Sequence, residues 1–189
     1  MNAKNNSREK IVGTASDLFQ SKGFYATGLN EIIKKSGSPK GSLYYYFPEG
    51  KEELGVAAVK FAGRSIQQKI KDGLDRYTDP ILAINAVIKD MITALKQDGK
   101  LKNTSLSLVA LETYLSSEAL RTACSESFSA LENIYAQKLL DSGVPKERAE
   151  QLGIVIQSLM EGAILLSVTH HDTTALGLAA KQIEILLKK

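Results

Sequence analysis

The residues whose types and spacing could do chemistry lie close together, between Thr27 and Lys51 of this 189-residue chain. Thr27 and Gly28 open one apolar-patterned segment, and Lys51 opens another. The first turn of a helix leaves backbone N–H groups unpaired, and these suit phosphate oxygens. Between the two starts stand Lys40, Gly41, Ser42, Tyr44 and Tyr45. A lysine can donate to guanine O6 and N7, and a serine hydroxyl to a phosphate or a base edge. Tyrosines can reach sugar-phosphate and thymine methyls, and Gly41 lets a backbone come close. The chemistry implied is recognition of a duplex, with no bond made or broken. Lys40 fits a solvated lysine or a plain phosphate contact equally well, and a tyrosine can simply pack.

Other reactive groups offer less. His170-His171-Asp172 invites a metal, but neighbours on a helix diverge by about 100°, and no third ligand stands at a known spacing. A helix C-terminus, where histidines suit the dipole, is the simpler reading. The single cysteine, Cys124, sits at helical spacing among apolar residues and reads as core. The chain has no P-loop, no G-x-S-x-G, no C-x-x-C and no nucleophile–base pair. No enzyme, metal or cofactor is expected.

The elements that must position these residues follow from local patterning. Leu29, Ile32 and Ile33 fall on one helical face, with Thr27 placed to cap it. Ser36-Gly37-Ser38-Pro39 breaks that helix. Gly37 suits a left-handed stop, Ser38 a cap, and Pro39 the first position of the next helix. That helix is about two turns long because Pro48 ends it, with Leu43 and Phe47 held inward. Three tyrosines on so short a helix must spread around it, so Tyr46 is expected partly inward and Tyr44 and Tyr45 outward. The arrangement is a helix-turn-helix. Upstream, residues 1–5 read as a disordered arm, and Asn6 or Ser7 as the cap of a first helix. That helix buries Ile11, Ala15, Leu18 and Phe19 and stops at Gly23, with Phe24 beneath the next two helices.

The pattern is also specific to a family. Phe19, Gly23, Phe24, Thr27, Gly37, Gly41, Ser42, Leu43, Tyr44, Tyr46, Phe47 and Lys51-Glu52-Glu53-Leu54 stand at the spacings of F-x-x-x-G-[FY] and A-G-V-S-x-G-[ST]-[LI]-Y-x-[HY]-F. The first fifty residues thus resemble the DNA-binding domain of the TetR family of bacterial repressors. Pro39 replaces the family's usual Ser, which shifts the cap to Ser38, and Gly50 looks like a one-residue insertion. These departures, with L-R-T-A-C and S-L-M-E-G-A-I-L-L-S further on, resemble the LmrA/YxaF-like branch, whose members repress multidrug-efflux and flavonoid-responsive genes.

Composition agrees with an all-α protein of one or two domains: four prolines, weak strand patterning, and length enough for a real core. The opening residues are too polar for a secretory signal. No uninterrupted run of about 18 apolar residues exists, so no membrane span is expected. One cysteine fits a reducing cytoplasm. The net charge is +3, but residues 1–72 carry 12 Lys+Arg against 7 Asp+Glu, leaving the remainder slightly negative.

Further along, Lys51 to about Leu74 reads as one helix roughly 35 Å long, with Leu54, Ala58, Phe61, Ser65 and Ile66 inward. Asp79 caps and Pro80 opens the next, whose stripe runs from Ile84 to Leu95 and ends at Asp98-Gly99-Lys100. Ser105 to Tyr114 alternates at first like a strand but reads as helix. Ser117 caps a helix through Leu120, Phe128, Leu131, Tyr135 and Leu139. Pro145 opens a long helix apolar nearly all round, with Leu152, Val155, Ile156, Leu159, Met160, Ala163 and Leu166 on one face and Gly162-Ala163 suited to close approach. A last helix spans about Thr174 to Leu187.

The resemblance implies a division into a DNA-binding head, residues 1–50 with the helix-turn-helix over about 28–47, and an effector-binding and dimerisation body, residues 51–189. It implies a homodimer through the last two helices, a palindromic operator, and release by a small apolar or aromatic effector. Phe61, Met91, Leu111, Phe128, Tyr135 and Met160 are the candidate effector contacts. The alternative is a helical small-molecule-binding or interaction protein without operator-specific DNA binding.

Overall fold

The computed structural model describes the backbone of residues 3–98 and 105–188. Among these, all regular structure is helical: α1 (Ala3–Lys22), α2 (Leu29–Ser36), α3 (Lys40–Tyr46), α4 (Lys51–Leu74), α5 (Pro80–Asp98), α6 (Ser107–Thr113), α7 (Glu118–Asp141), α8 (Lys146–His170) and α9 (Thr174–Lys188). Met1 and Asn2 of the expected arm, and Gly99 and Lys100 of the expected end of α5, lie outside the described residues. The first helix starts at Ala3, ahead of the Asn6 or Ser7 cap expected for it.

The described residues pack as two compact units, residues 3–65 with 105–127, and residues 66–98 with 128–188. Helices α4 and α7 each contribute their first part to one unit and their last part to the other.

In the first unit α1 packs on α2, α3 and α6. Its core is built from Ile11, Ala15, Leu18, Phe19, Ile32, Leu43, Phe47 and Leu54, all essentially inaccessible. Burying such side chains contributes roughly 1.5–3 kcal/mol each, which is what holds a seven-residue helix such as α3 in place. The Phe24 ring lies 5.2 Å from that of Phe19. It also fills the space over Gly55, where a β-carbon would come within 2.8 Å of it and 3.0 Å of Leu120.

Helix α9 packs on α5 and α8 in the second unit. Asp79 caps α5 as its sequence suggests, its carboxylate accepting from the Leu82 N–H at 2.8 Å. Gly73 and Gly153 are the points of closest helix approach. A β-carbon at Gly73 would stand 2.6 Å from Val87, and one at Gly153 would stand 2.5 Å from the Glu132 carbonyl of α7. Gly162, expected to be a contact point, has open space around it.

Helix α8 departs from its sequence reading in a second way. Its buried residues are Ala149, Leu152, Gly153, Ile156, Gln157, Met160, Ala163, Ile164 and Ser167, a single face. Val155 and Leu166, expected on that face, are exposed, as are Ile154, Leu165 and Val168. By length and a mean hydropathy of 1.7 this helix is long and apolar enough to cross a membrane. Its packed face nevertheless carries Gln157, bonded to Glu161 at 2.9 Å, and Ser167. It ends at His171, whose left-handed φ of 54° closes the helix as the histidine pair suggests. Among the described residues no group of His, Cys, Asp and Glu could hold a metal ion.

Candidate nucleic-acid interface

The turn of the helix-turn-helix is set by Gly37, which adopts the left-handed conformation at φ 63° and ends α2. Helix α3 follows after Pro39, which is the residue before the helix and not its first. Ser38 therefore does not cap α3; its side chain is buried and makes no bond to the helix start. The Ser42 N–H instead donates to the Pro39 carbonyl at 2.9 Å. Proline's fixed φ gives that turn the rigidity a side-chain cap would have supplied.

Leu43 and Phe47 pin α3 inward at 0% and 1% exposure. At 100° per residue, Lys40, Gly41, Tyr44 and Tyr45 then occupy one outer arc of about 140°. All four are exposed, Tyr45 at 69%. Ser42 and Tyr46 lie beyond the arc, half-buried, and the Tyr46 ring meets that of Tyr45 edge-on at 5.0 Å. A cation, a bare backbone and two phenols thus share one solvent face.

Thr27 corrects the sequence reading. It is fully buried, and its hydroxyl donates to the Gly23 carbonyl at 2.8 Å, closing off the end of α1. Gly28 precedes α2 without any side-chain cap. The N–H groups of Glu31 and Ile32 turn back to the Gly28 carbonyl, and Gly28 itself is exposed. The start of α2 is therefore free of any side-chain cap, whereas Thr27 fixes the chain that leads into it.

Lys51 opens α4. Its ammonium stands 4.6 Å from the centre of the Phe24 ring and 3.5 Å from the Tyr25 carbonyl. Burial lowers its pKa, and the negative charge of Glu112 opposes that shift.

Several contacts around these elements were not read from the sequence. Arg8 of α1 lies over the Phe47 ring at 5.5 Å, so a cation of the first helix stands beside the end of α3. Lys22 and Lys35 both pair with Glu31, whose carboxyl is held below its usual range chiefly by the Lys22 hydrogen bond. Glu112 of α6 accepts from the Phe24 N–H across 88 positions of sequence. The Tyr25 hydroxyl bonds Ser116, and the Ser117 hydroxyl bonds Glu52 while capping α7 at Leu120. A positive residue three positions before the apolar face that starts at Ile11 could have flagged Arg8, but no local signal marks Glu112.

The six candidate effector contacts do not form one group. Met91, Phe128, Tyr135 and Met160 belong to the second unit; Met91, Tyr135 and Met160 are buried and Phe128 is half-buried. Burial holds the Tyr135 hydroxyl protonated far above the usual phenol range, and the charge of Glu161 adds to this. Phe61 and Leu111 belong to the first unit. Phe61 is not inward as expected: its ring lies beside Gly13 of α1 and remains 39% exposed. Leu111 is 67% exposed, because α6 is only seven residues long and turns its other side, with Val109 and Thr113, inward. A cleft of about 460 Å³ in the second unit runs between the end of α4 and α7. It is lined by Gln67, Lys71, Asn133, Ile134, Gln137 and Lys138 among others, and by none of the six.

Comparison with known proteins agrees with this architecture. Residues 11–58 match the bacterial regulatory proteins of the tetR family, and residues 80–182 match the C-terminal domain of LmrA/YxaF-like transcriptional regulators. The chain is 46% identical to the HTH-type transcriptional regulator YxaF of Bacillus subtilis over 189 residues, covering 100% of this chain and 99% of that one. It is 43% identical to the regulator LmrA of the same organism over 183 residues, covering 97% of each. Among solved structures, the reduced form of Escherichia coli NemR superposes with a TM-score of 0.82 at 23% identity, over 95% of this chain and 97% of that one, which speaks to the fold. The exposed arc of α3 is thus the second helix of a helix-turn-helix in a chain that belongs to the TetR family of transcriptional regulators, with a C-terminal domain of the LmrA/YxaF-like type.

Proposed function

We propose that the protein is a dimeric transcriptional repressor that leaves a palindromic operator when its body binds a small apolar or aromatic effector. The observation that carries the reading is the outer arc of α3, where Lys40, Gly41, Tyr44 and Tyr45 are held outward by the burial of Leu43 and Phe47. Lys40 and the two tyrosines would read base edges and Ser42 would bond a phosphate or base. Gly28 and Lys51 would fix phosphates and so set register. Thr27, being buried, contributes by holding the entry to α2.

The homodimer is assigned to α8 and α9. Ile154 and Leu165 of α8 and Leu178 and Ile185 of α9 are exposed aliphatic residues on the faces opposite their packed stripes, with the exposed Val168 to one side. Apolar surface of this kind on adjacent helices is what a four-helix interface around a two-fold axis buries. Effector contacts are proposed among Met91, Phe128, Tyr135 and Met160 of the second unit. Control of an efflux or flavonoid-response gene belongs to the same proposal, as does the functional division at about residue 50, although the packing unit extends to Ser65.

A titration of the purified protein against its own upstream DNA and a scrambled duplex, at stated ionic strength, tests the reading. Tight binding to the upstream duplex alone, weakened by a flavonoid or lincomycin-like compound, is expected. Equal weak binding to both, followed by failure to select any duplex from a random pool, would leave the alternative of a helical interaction module.

A further inference from the structure

The contact between α6 and the head carries more than packing. Gly23 has φ 89°, and a β-carbon there would collide with the Glu112 carboxylate. The same carboxylate accepts from the Phe24 N–H. At the next residue, the Tyr25 carbonyl accepts from the Lys51 ammonium, which also lies over the Phe24 ring. Glu112 is half-buried, and its charge acts on Lys51 directly, favouring the ammonium against burial. Lys51 therefore rests on the head itself, over the Phe24 ring and at the Tyr25 carbonyl, on the same turn whose Phe24 N–H is held by Glu112.

We propose that Glu112 is a positioning residue that competes with the DNA backbone for Lys51, drawing the ammonium onto the Phe24–Tyr25 turn and setting duplex affinity below what the head's cations could reach. The inference rests on the reading of Lys51 as a phosphate contact. On this proposal a phosphate that takes Lys51 draws it from the Phe24 ring and the Tyr25 carbonyl and out of the field of Glu112. Removing the charge while keeping the acceptor removes one of those opposing terms. Glu112→Gln does this, because its amide oxygen can still accept from the Phe24 N–H.

The test is a double-mutant cycle on the full chain: the wild type, Glu112→Gln, Lys51→Ala and the double variant, each titrated against a duplex selected by the wild type and against a mixed-sequence duplex at low ionic strength. Glu112→Gln is expected to bind both duplexes roughly two- to fivefold tighter, the size of an exposed charge coupling. The gain should vanish in the Lys51→Ala background. Circular dichroism of each variant establishes that the fold is retained. Equal affinity of Glu112→Gln and wild type, or a gain that persists without Lys51, overturns the proposal, the latter assigning it to general repulsion of DNA by Glu112. Should the wild type bind both duplexes equally, operator recognition fails as a reading, while the cycle on the mixed duplex still decides the role of Glu112, since phosphate contacts carry no sequence information.

Discussion

Lys40 and Lys51 both stand at helix starts, yet their removal should have different consequences. Lys51→Ala is expected to weaken binding to every sequence alike and to lower the slope of log affinity against log salt by about one. Lys40→Ala should instead relax discrimination at one base pair, by about 1–3 kcal/mol if its contact is to guanine. Competition titrations with single-base operator variants separate the two. Cys124 offers a prediction that needs no DNA. Burial pushes its thiol up to about 11, and only 2% of the residue is exposed. At pH 8 the group is then almost wholly protonated, so the native protein should resist a thiol-reactive reagent such as DTNB until denaturant is added. Capping is where residue-level reading succeeded and failed for one physical reason. Asp79 and Ser117 cap as their local sequence suggests, and neither is buried. Thr27 and Ser38 look equally suited but are buried, and Thr27 bonds the Gly23 carbonyl instead of α2. A hydroxyl's choice between two backbone partners depends on where the preceding helix ends in space, which local sequence does not state.

At the scale of the element, α8 shows how periodicity can be right about helix and only partly right about face: Leu152, Ile156, Met160 and Ala163 are buried as expected, while Val155 and Leu166 are not. Nearly every position of its middle is apolar, so the apolar residues alone fix the side only loosely. The polar and small residues decide it: Gly153, Gln157 and Ser167 lie on the buried stripe, and Val155 and Leu166 face out. Gly153 is needed there because α7 comes so close that a β-carbon would meet the Glu132 carbonyl at 2.5 Å. Gly153→Val should therefore destabilise the protein by about 1–3 kcal/mol through overpacking, read as a lower urea midpoint with an unchanged slope. The outward aliphatic residues make the complementary prediction. Leu165→Glu is expected to convert the dimer to monomer in sedimentation velocity while helical content stays constant. Retention of the dimer would move the interface away from α8.

For the whole molecule, the sequence was most informative about the head, because Gly37, Pro39, Leu43, Phe47 and Pro48 act over a few residues. It was least informative about what joins distant segments. Glu112 meets Phe24 across 88 positions, and neither residue's neighbourhood announces the other. The candidate effector contacts scattered for a related reason. Aromatic and sulfur-bearing side chains at helical spacing mark burial, not a cavity, and Phe61 and Leu111 proved exposed. The central claim is that two copies of this chain present two α3 arcs to one duplex. Selection from a random-duplex pool by the purified wild-type protein tests it most directly. The account predicts enrichment of a palindrome whose half-sites are centred about one helical turn, roughly 34 Å, apart, lost when Leu165→Glu protein is used. Enrichment of a single asymmetric site bound by monomer, or no enrichment at all, would contradict it.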